Sequence, residues 1–295
     1  MSDTDTKKDW TILSLLQWSE QYLADKGIES PRLNAEQMLA VALGYKRIDL
    51  YTRFDKPLVQ EELDRYKTLF VRRVNREPLQ YILGYTEFYG RRFAVRSGVL
   101  IPRPETEHLV ESVLEILAAQ NISPSRILDV GTGSGCIAVT LAAELENASI
   151  TAIDISDDAL SVAYENAGTY SVVDRIVFKK INILDSNIGN NGEERFHVIA
   201  ANPPYIPKNE WEKLPDEIKV HEPKYALTDD DDGMTYLKRL AQIAPGSLEK
   251  NGWLLCEVGY DQSEDVQLLL RSNGAQDIKL WKDLSGINRI VGGSW

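Results

Sequence analysis

Residues 10–83 place apolar side chains at helical spacing, with polar residues between them. Glycine or proline marks the helix ends, because glycine closes a helix readily and proline fits its first turn. The pattern predicts three helices, over residues 10–26, 31–43 and 59–75. This stretch carries no catalytic cluster of its own. We therefore expect a small helical bundle that docks a substrate, with pure scaffolding as the alternative.

The periodicity changes beyond this stretch. Residues 86–95 alternate around a glycine-containing turn, which predicts a β-hairpin. From residue 126 onward strands and helices alternate, which is typical of a doubly wound α/β fold with right-handed crossovers. Strands are predicted over residues 126–130, 149–154, 175–180, 196–201, 252–258, 275–281 and 288–291. Helices are predicted over residues 136–145, 157–167, 234–244 and 263–271. An earlier helix is predicted to follow the extended, proline-containing segment 99–107, with Leu109, Val113, Ile116 and Leu117 on its buried face. The sequence thus divides into a helical domain over residues 1–83, a hairpin linker over residues 84–100 and an α/β domain over residues 101–295.

The apolar strand over residues 196–201 runs directly into Asn202-Pro203-Pro204-Tyr205. Two prolines cannot donate to a strand ladder, so the strand must end in a short, stiff turn. The Asn202 side-chain oxygen and the Pro203 carbonyl can each accept one N–H of a planar group that carries NH2. The Tyr205 ring can cover the flat face of that group. The simpler alternative is a loop that merely ends a strand.

A glycine-rich stretch, residues 131–135, joins the first predicted strand of the α/β domain to a helix. Glycines let the backbone approach a ligand closely, and a helix N-terminus offers free N–H groups. Asp154 ends the next strand, where its carboxylate can accept both hydroxyls of a ribose. Asn182 and Ile183 follow the third strand, where they can contact an adenine edge. Alone, the glycine stretch would equally fit a dinucleotide site.

Composition and charge narrow the classes of protein. The 295 residues carry a net charge of −12, which argues against nonspecific nucleic-acid binding. No apolar run approaches the roughly 20 residues of a membrane-spanning helix, and the polar N-terminus does not resemble a secretory signal. Two cysteines and three scattered histidines predict neither a disulfide framework nor a metal site. We expect a cytoplasmic protein that needs no metal.

Basic residues concentrate between positions 65 and 96, where eight Lys and Arg stand against two acids. They are Arg65, Lys67, Arg72, Arg73, Arg76, Arg91, Arg92 and Arg96. This basic stretch could face an anionic partner, and a solvated helix face plus hairpin is the alternative. Residues 97–295 hold 17 Lys and Arg against 31 Asp and Glu, a net charge of −14.

The glycine stretch with Asp129, Asp154 and residues 202–205 together resemble a class I S-adenosylmethionine-dependent methyltransferase that modifies a planar amine or amide nitrogen. Three further stretches narrow the resemblance to the PrmC/HemK family. They are residues 87–90, 101–107 and 222–227. The resemblance covers nearly the whole chain. It implies a Rossmann-like, seven-stranded, mostly parallel sheet, with a small N-terminal helical bundle joined by a β-hairpin.

The resemblance implies methyl transfer from S-adenosyl-L-methionine to N5 of the glutamine in the Gly-Gly-Gln motif of class I peptide chain release factors, which modulates translation termination. It implies a monomer whose partner is a release factor, without stable nucleic-acid or membrane binding. The implied catalytic and substrate-binding residues are Asn202, Pro203, Pro204 and Tyr205. The implied cofactor contacts are Gly131, Thr132, Gly133, Ser134, Gly135, Asp154, Asn182, Ile183 and Asn202. Arg103 and Glu105 are further substrate-binding candidates, either at the pocket mouth or as a structural ion pair.

The sequence departs from the family at three places. Asn182 stands where the family usually has an acid, residues 229–232 replace a more glycine-rich loop, and residues 187–192 resemble an insertion. Two other functions stay open. One is N-methylation of a DNA, rRNA or tRNA base by the same turn, which the charge of −14 disfavours. The other is a non-catalytic protein that uses this fold to bind a partner.

Overall fold

A computed structural model describes residues 10–186, residue 188 and residues 195–295. The chain divides into two compact units, the second of which begins at Tyr85. The polar N-terminus, and all of the expected insertion at residues 187–192 except its second residue, lie outside the described residues.

The first unit is helical. Within its described part the helices are α1 Ile12–Asp25, α2 Pro31–Leu43, α3 Arg47–Thr52, α4 Gln60–Val74 and α5 Leu79–Leu83. The Thr11 side chain caps α1 by accepting a hydrogen bond from Ser14 N at 3.2 Å, and Pro31 occupies the first turn of α2. Helices α1, α2 and α4 correspond to the three predicted helices. The pattern does not predict α3 and α5, because six and five residues are too few to show an apolar period.

The first unit has an apolar core of its own. Ile12, Leu16 and Leu23 of α1 belong to one buried cluster with Met38 and Leu39 of α2. Full burial of such a side chain stabilises a fold by about 1.5–3 kcal/mol. The unit is therefore held together by contacts among its own helices.

The second unit alternates strands and helices. Its described strands are β1 Tyr85–Phe88, β2 Arg91–Ala94, β3 Arg126–Val130, β4 Ser149–Asp154, β5 Ile176–Lys180, β6 Phe196–Ala201, β7 Leu248–Glu257, β8 Ile278–Lys282 and β9 Asn288–Ser294. Its described helices are α6 Glu107–Ala119, α7 Cys136–Glu144, α8 Asp157–Thr169, α9 Lys208–Trp211, α10 Asp216–His221, α11 Thr235–Ser247 and α12 Ser263–Ser272. β1 and β2 form a hairpin, and the other seven strands form one sheet in the order β5-β4-β3-β6-β7-β9-β8. Within this sheet β9 runs antiparallel to both neighbours and the other pairs are parallel, which confirms the predicted fold class.

Both faces of the sheet are covered by helices. Along β3, Ile127 packs into a cluster with Leu109 of α6 and Val139 of α7. The next residue, Leu128, points to the other face and packs with Leu240 of α11. Strands buried on both faces have continuous apolar sequences, which is why the pattern located them well.

The strand order reverses between β3 and β6. The chain adds β4 and β5 on one side of β3 and then crosses to the other side to form β6. In open parallel sheets, ligands bind outside the carboxyl ends of the strands at such a point. Val130 of β3 pairs with Ala201 of β6, so Gly131 and Asn202, which follow them, leave the sheet side by side.

The other differences from prediction concern the ends of elements. β7 begins at Leu248 rather than Gly252, and α11 continues to Ser247 past Pro245. Pro245 lies in the last turn, where it removes one helical N–H while Leu248 N still bonds to the carbonyl of Ala244. The short α9 and α10 are not predicted. Among the helices of the described residues, none is both long and apolar enough to cross a membrane.

Candidate active site

A cavity opens at the carboxyl ends of β3, β4 and β6. Its volume is about 980 Å³ when the space at the open mouth is included, which suits a small-molecule ligand. Residues 131–134, Asp154 and residues 202–204 line it, together with apolar side chains such as Ile155 and Leu240. The fold thus brings the glycine stretch, the acid of β4 and the proline turn to one cavity.

Ten of the predicted site residues line this cavity. They are Arg103, Gly131, Thr132, Gly133, Ser134, Asp154, Ile183, Asn202, Pro203 and Pro204. Four others, Glu105, Gly135, Asn182 and Tyr205, lie outside the lining.

Gly135 and Asn182 make local contacts instead. Gly135 precedes α7 with a φ of +79°, and a Cβ added to it would lie 2.9 Å from the Cβ of Ala163 in α8. Glycine is required here because α7 and α8 approach closely. The exposed Asn182 donates its side-chain NH2 to Asp185 Oδ2 at 2.6 Å. Of the two residues predicted to contact adenine, the cavity wall contains only Ile183.

Asn202 is held by a chain of hydrogen bonds that ends on a buried acid. Its Nδ2 donates to Thr106 Oγ1 at 3.0 Å, and Thr106 Oγ1 donates to Glu257 Oε2 at 2.7 Å. Among the described residues, none donates a hydrogen bond to Asn202 Oδ1. That oxygen is therefore available to a ligand in the cavity.

Tyr205 anchors the turn. Its hydroxyl donates to Glu257 Oε1 at 3.2 Å, and its carbonyl accepts from Gln262 Nε2 at 2.9 Å. Burial, reinforced by the Glu257 carboxylate, raises the pKa of Tyr205, so its hydroxyl stays a neutral donor. The predicted packing of this ring over a bound amide has no counterpart in the cavity lining.

The acidic loop before α11 supports the same turn. The carboxylate of Asp229 accepts from the backbone N–H groups of Asp231 at 2.9 Å, Gly233 at 3.0 Å and Thr235 at 3.0 Å. Burial works to raise the pKa of Asp229, but these hydrogen bonds outweigh it, so the pKa is lowered. A Cβ on Gly233 would lie 2.3 Å from the Tyr205 carbonyl oxygen. The loop thus keeps glycine where it touches the turn.

Asp154 ties the glycine stretch to β4. Its Oδ2 accepts from Gly133 N at 2.9 Å and its Oδ1 accepts from Ser156 N at 2.9 Å. Burial raises the pKa of Asp154, and the backbone N–H groups oppose this rise. Each oxygen keeps a second lone pair, so the carboxylate can still accept two hydroxyl groups from a ligand.

Direct contacts join residues 87–90, 101–107 and 222–227, the three stretches that resemble the PrmC/HemK family. Arg103 lines the cavity and pairs with Glu222, at 2.5 Å between its NH2 nitrogen and Oε1. Its ion-pair partner is therefore not Glu105, which was one of the two alternatives that the sequence left open. Glu107 accepts a hydrogen bond from Tyr89 N at 2.8 Å. The segment over residues 101–107 therefore contacts both the hairpin and residues at the cavity.

Sequence reasoning missed several residues of the site. Thr106 lies inside a stretch that carried the resemblance, but no role was assigned to it. Glu257 ends β7, next to β6, and an acid at the carboxyl end of a buried strand is the signal that identified Asp154. Gln262 and Tyr236, the latter in the cavity lining, carry no comparable signal.

Comparison with known proteins shows which family the chain belongs to. The family model described as PrmC N-terminal domain matches residues 14–84, and that described as methyltransferase small domain matches residues 108–223. The release factor glutamine methyltransferase of Geobacter sulfurreducens is 40% identical over 291 residues, covering 98% of this chain and 99% of that protein. That of Chlorobaculum tepidum is 41% identical over 287 residues, covering 96% and 97%. The chain belongs to the release factor glutamine methyltransferase family.

A solved structure supports the fold of this release factor glutamine methyltransferase family member. The hMettl16 catalytic domain in complex with MAT2A 3'UTR hairpin 6 covers 86% of this chain and 91% of its own, with a TM-score of 0.57 and 16% identity. At that identity the likeness shows a common fold and nothing of the substrate.

The methyl donor of this family member is S-adenosylmethionine. The residues of the cavity fit this molecule. The spare lone pairs of Asp154 suit its ribose hydroxyls, and residues 131–134 allow its methionine part to approach the backbone. The apolar Ile155, Ile183 and Leu240 suit its adenine.

Proposed function

We propose that this chain methylates N5 of the glutamine in the Gly-Gly-Gln motif of class I peptide chain release factors, and so modulates translation termination. The orientation of Asn202 carries the proposal. Thr106 holds the amide NH2, which leaves the amide oxygen for an N–H group in the cavity. Similarity over nearly the full length to relatives named release factor glutamine methyltransferases supports the choice of substrate.

The turn acts on the substrate amide by holding its two N–H groups. Asn202 Oδ1 accepts one and the Pro203 carbonyl accepts the other. The lone pair of an amide nitrogen is delocalised into its carbonyl group, and two fixed acceptors favour a pyramidal nitrogen whose lone pair is free. Bound S-adenosylmethionine supplies an electrophilic methyl group on a sulfonium. Positioning of the nitrogen is the main contribution of these residues.

The substrate nitrogen loses its proton after methyl transfer, because an amide N–H is a very weak acid. A carboxylate such as Asp154 is far too weak a base to deprotonate an amide outright. Asn202 and Pro203 therefore hold the N–H groups during transfer, and the nitrogen releases its proton to water once it carries the methyl group.

The first unit, with the domain bounds predicted from the sequence, is proposed to dock the release factor. In the described residues 10–83 buried apolar side chains of α1, α2 and α4 form one cluster, which gives the proposed docking domain a core of its own. We further propose that the enzyme acts as a monomer in the cytoplasm, where translation supplies its substrate.

Methylation of a nucleic-acid base is the less favoured alternative. Within the first unit, Arg72 pairs with Glu77 at 2.5 Å and Arg76 donates to a backbone carbonyl. Within the second unit, Arg91 pairs with Glu144 at 2.7 Å. Arginines of the basic stretch thus pair with acids or bond to a carbonyl of the same chain. These contacts weaken the attraction of the stretch for phosphate.

Mass spectrometry of a purified release factor tests the proposal. The factor is incubated with this enzyme and isotope-labelled S-adenosylmethionine, and its peptides are analysed. We expect one labelled methyl group on the glutamine of the Gly-Gly-Gln peptide. A release factor in which that glutamine is replaced by glutamate is the control and should stay unlabelled. Label on added RNA or DNA, with none on the factor, would support the alternative.

A further inference from the structure

We propose that Thr106 and Glu257 are positioning residues that determine which end of the Asn202 amide faces the substrate. The inference rests on the proposed function, because it assigns Asn202 Oδ1 as the acceptor of a substrate N–H. It goes further in naming two residues, one on the segment before α6 and one at the end of β7, that act through Asn202.

The orientation of an asparagine amide is a choice between two nearly isosteric states. With Oδ1 toward the substrate, the side chain accepts an N–H of the substrate amide. With Nδ2 toward it, two donors face each other and the contact is lost. An asparagine without a fixed partner would occupy both states, so some neighbour must select the productive one.

Thr106 can make this selection because a hydroxyl has one proton. Its Oγ1 donates that proton to Glu257 Oε2 at 2.7 Å, so toward Asn202 it can only accept. The group that Asn202 turns to Thr106 must then be the NH2, which lies 3.0 Å away. Thr106 lies in the cavity lining but is only 2% exposed, so little of its surface is open to water that could replace Asn202 as a partner.

Glu257 fixes the direction of the Thr106 proton. Its carboxylate is 1% exposed and accepts two hydroxyl hydrogen bonds, from Thr106 at Oε2 and from Tyr205 at Oε1. An ionised carboxylate is only an acceptor, so both hydroxyls must donate to it. Burial raises the pKa of Glu257, and the two hydroxyls oppose that rise by stabilising the charged form. Glu257 thus sets the donor–acceptor direction of the hydrogen bonds that lead through Thr106 to Asn202. It also anchors the turn through Tyr205.

The first test compares two substitutions at position 106. Thr106→Val keeps the shape and removes the hydroxyl, whereas Thr106→Ser keeps the hydroxyl. We expect Thr106→Val to lower kcat for methylation of the release factor by about 10- to 100-fold. Its KM for the release factor and its Kd for S-adenosylmethionine should stay within about threefold of wild type. Thr106→Ser should recover most of the lost turnover.

Thr140→Val is the matched control for loss of a buried hydroxyl. Thr140 of α7 is 0% exposed, its hydroxyl has no hydrogen-bond partner among the described residues, and it lies outside the cavity lining. Its turnover should match wild type. Equal losses in the two valine variants would overturn the proposal.

A double-mutant cycle separates positioning from general damage. If Thr106 acts through Asn202, then Thr106→Val should cause no further loss of turnover in an Asn202→Ala background. A purely structural role predicts the same fold-loss in both backgrounds, and that result would overturn the proposal.

Glu257→Gln supplies an independent arm if the valine variant folds poorly. Thr106 and Tyr205 donate to different oxygens of Glu257, and glutamine replaces one of these oxygens with an NH2 donor, so it cannot accept at both ends. Turnover should fall by about tenfold or more with unchanged cofactor affinity, and unchanged turnover would overturn the proposal. The two levels of inference fail differently. A wild-type enzyme that leaves the release factor unlabelled overturns the proposed function and this inference with it, whereas a labelling wild type with fully active Thr106→Val and Glu257→Gln variants overturns only this inference.

Discussion

Asp129 is a carboxylic acid that the fold buries completely near the end of β3. Its Oδ2 accepts from Thr132 Oγ1 at 2.7 Å and from Ala138 N at 3.2 Å. Its Oδ1 has no hydrogen-bond partner within the described residues. Burial, which outweighs these two hydrogen bonds, raises the pKa of Asp129 to about 7. Asp129, which lies just before the glycine stretch, is thus a carboxyl group that titrates near neutral pH.

Folding stability should depend on pH through this residue. An unfolded aspartate loses its proton near pH 4, so between about pH 4 and pH 7 the folded chain holds one proton more than the unfolded chain. Stability from this source therefore falls as the pH rises through that window, by up to about 4 kcal/mol. We predict that Asp129→Asn, which carries no titrating proton, removes this loss.

Urea unfolding of the wild-type protein and of the Asp129→Asn variant between pH 4.5 and pH 8 measures this pH dependence. The unfolding free energy of Asp129→Asn minus that of wild type should grow as the pH rises and level off above the pKa of the folded state. A difference that is constant over the range would contradict a buried proton on Asp129.

The side chain of Asn202 is the clearest single target for mutation. We predict that Asn202→Ala lowers turnover by about 100- to 1000-fold, because one of the two acceptors for the substrate nitrogen is lost. The affinity for S-adenosylmethionine, measured by calorimetry, should change little, because Asp154 and the glycine stretch remain. Near-normal methylation by this variant would count against the role given to the turn.

At the scale of elements, the segment between the hairpin and α6 organises the site. Arg103 reaches Glu222 after α10, Thr106 reaches Asn202 after β6, and Glu107 of α6 reaches the hairpin turn. Each contact is a hydrogen bond or ion pair between residues far apart in sequence. The segment thus fixes the relative positions of elements that the sheet alone does not connect.

Close packing of the acidic loop on the proline turn gives a prediction for Gly233. This glycine has a φ of +79°, and a Cβ would lie 2.3 Å from the Tyr205 carbonyl oxygen. We predict that Gly233→Ala destabilises the fold by at least about 1–3 kcal/mol, because an alanine there is strained and must displace the turn. Turnover at a temperature where the variant is folded should also fall.

Gly168→Ala is the matched control, measured in the same thermal unfolding and methylation assays. Gly168 lies within α8, and in the described part of the chain no atom beyond its neighbours and its own helix backbone lies within 4 Å of the position that a Cβ would take. Alanine there should stabilise the helix by about 0.5–1 kcal/mol and leave turnover unchanged. If Gly233→Ala behaved like this control, the loop would not be supporting the turn.

Much of the fold could be predicted from the sequence, for identifiable reasons. The long helices and the buried strands follow local periodicity, and the glycine stretch, Asp154 and the turn each follow directly on a strand. The pair of Thr106 and Glu257 could not be predicted in this way, because these residues are separated by 151 positions. Their contact exists only once β7 lies beside β6. The different partner of Arg103 and the outward position of Asn182 depend likewise on tertiary packing.

At the scale of the whole molecule, the chain consists of two units, each with its own apolar core. The cavity and its lining residues belong to the second unit. Chemistry and docking are therefore separable in principle, and the sequence left open whether the first unit docks the substrate or serves only as a scaffold.

Removal of the first unit distinguishes these two roles. We predict that residues 85–295 alone fold and bind S-adenosylmethionine with a Kd within about threefold of the intact chain. The KM for the release factor should rise by tenfold or more, because docking contacts are lost. Steady-state methylation assays with both chains measure this, and calorimetry checks that the shorter chain binds the cofactor. Equal KM values would favour the scaffold role.

The two outermost strands of the sheet carry a further consequence. β5 ends in Lys179 and Lys180, and β8 contains Lys279 and Lys282. The exposed rim of a sheet is a template onto which another chain can add a strand, and lysines along it oppose such pairing. Lys180 pairs with Asp157 and Lys279 with Glu115, so among the described residues Lys179 and Lys282 are the lysines of these two strands that have no ion pair. One such lysine at each rim should oppose edge-to-edge aggregation.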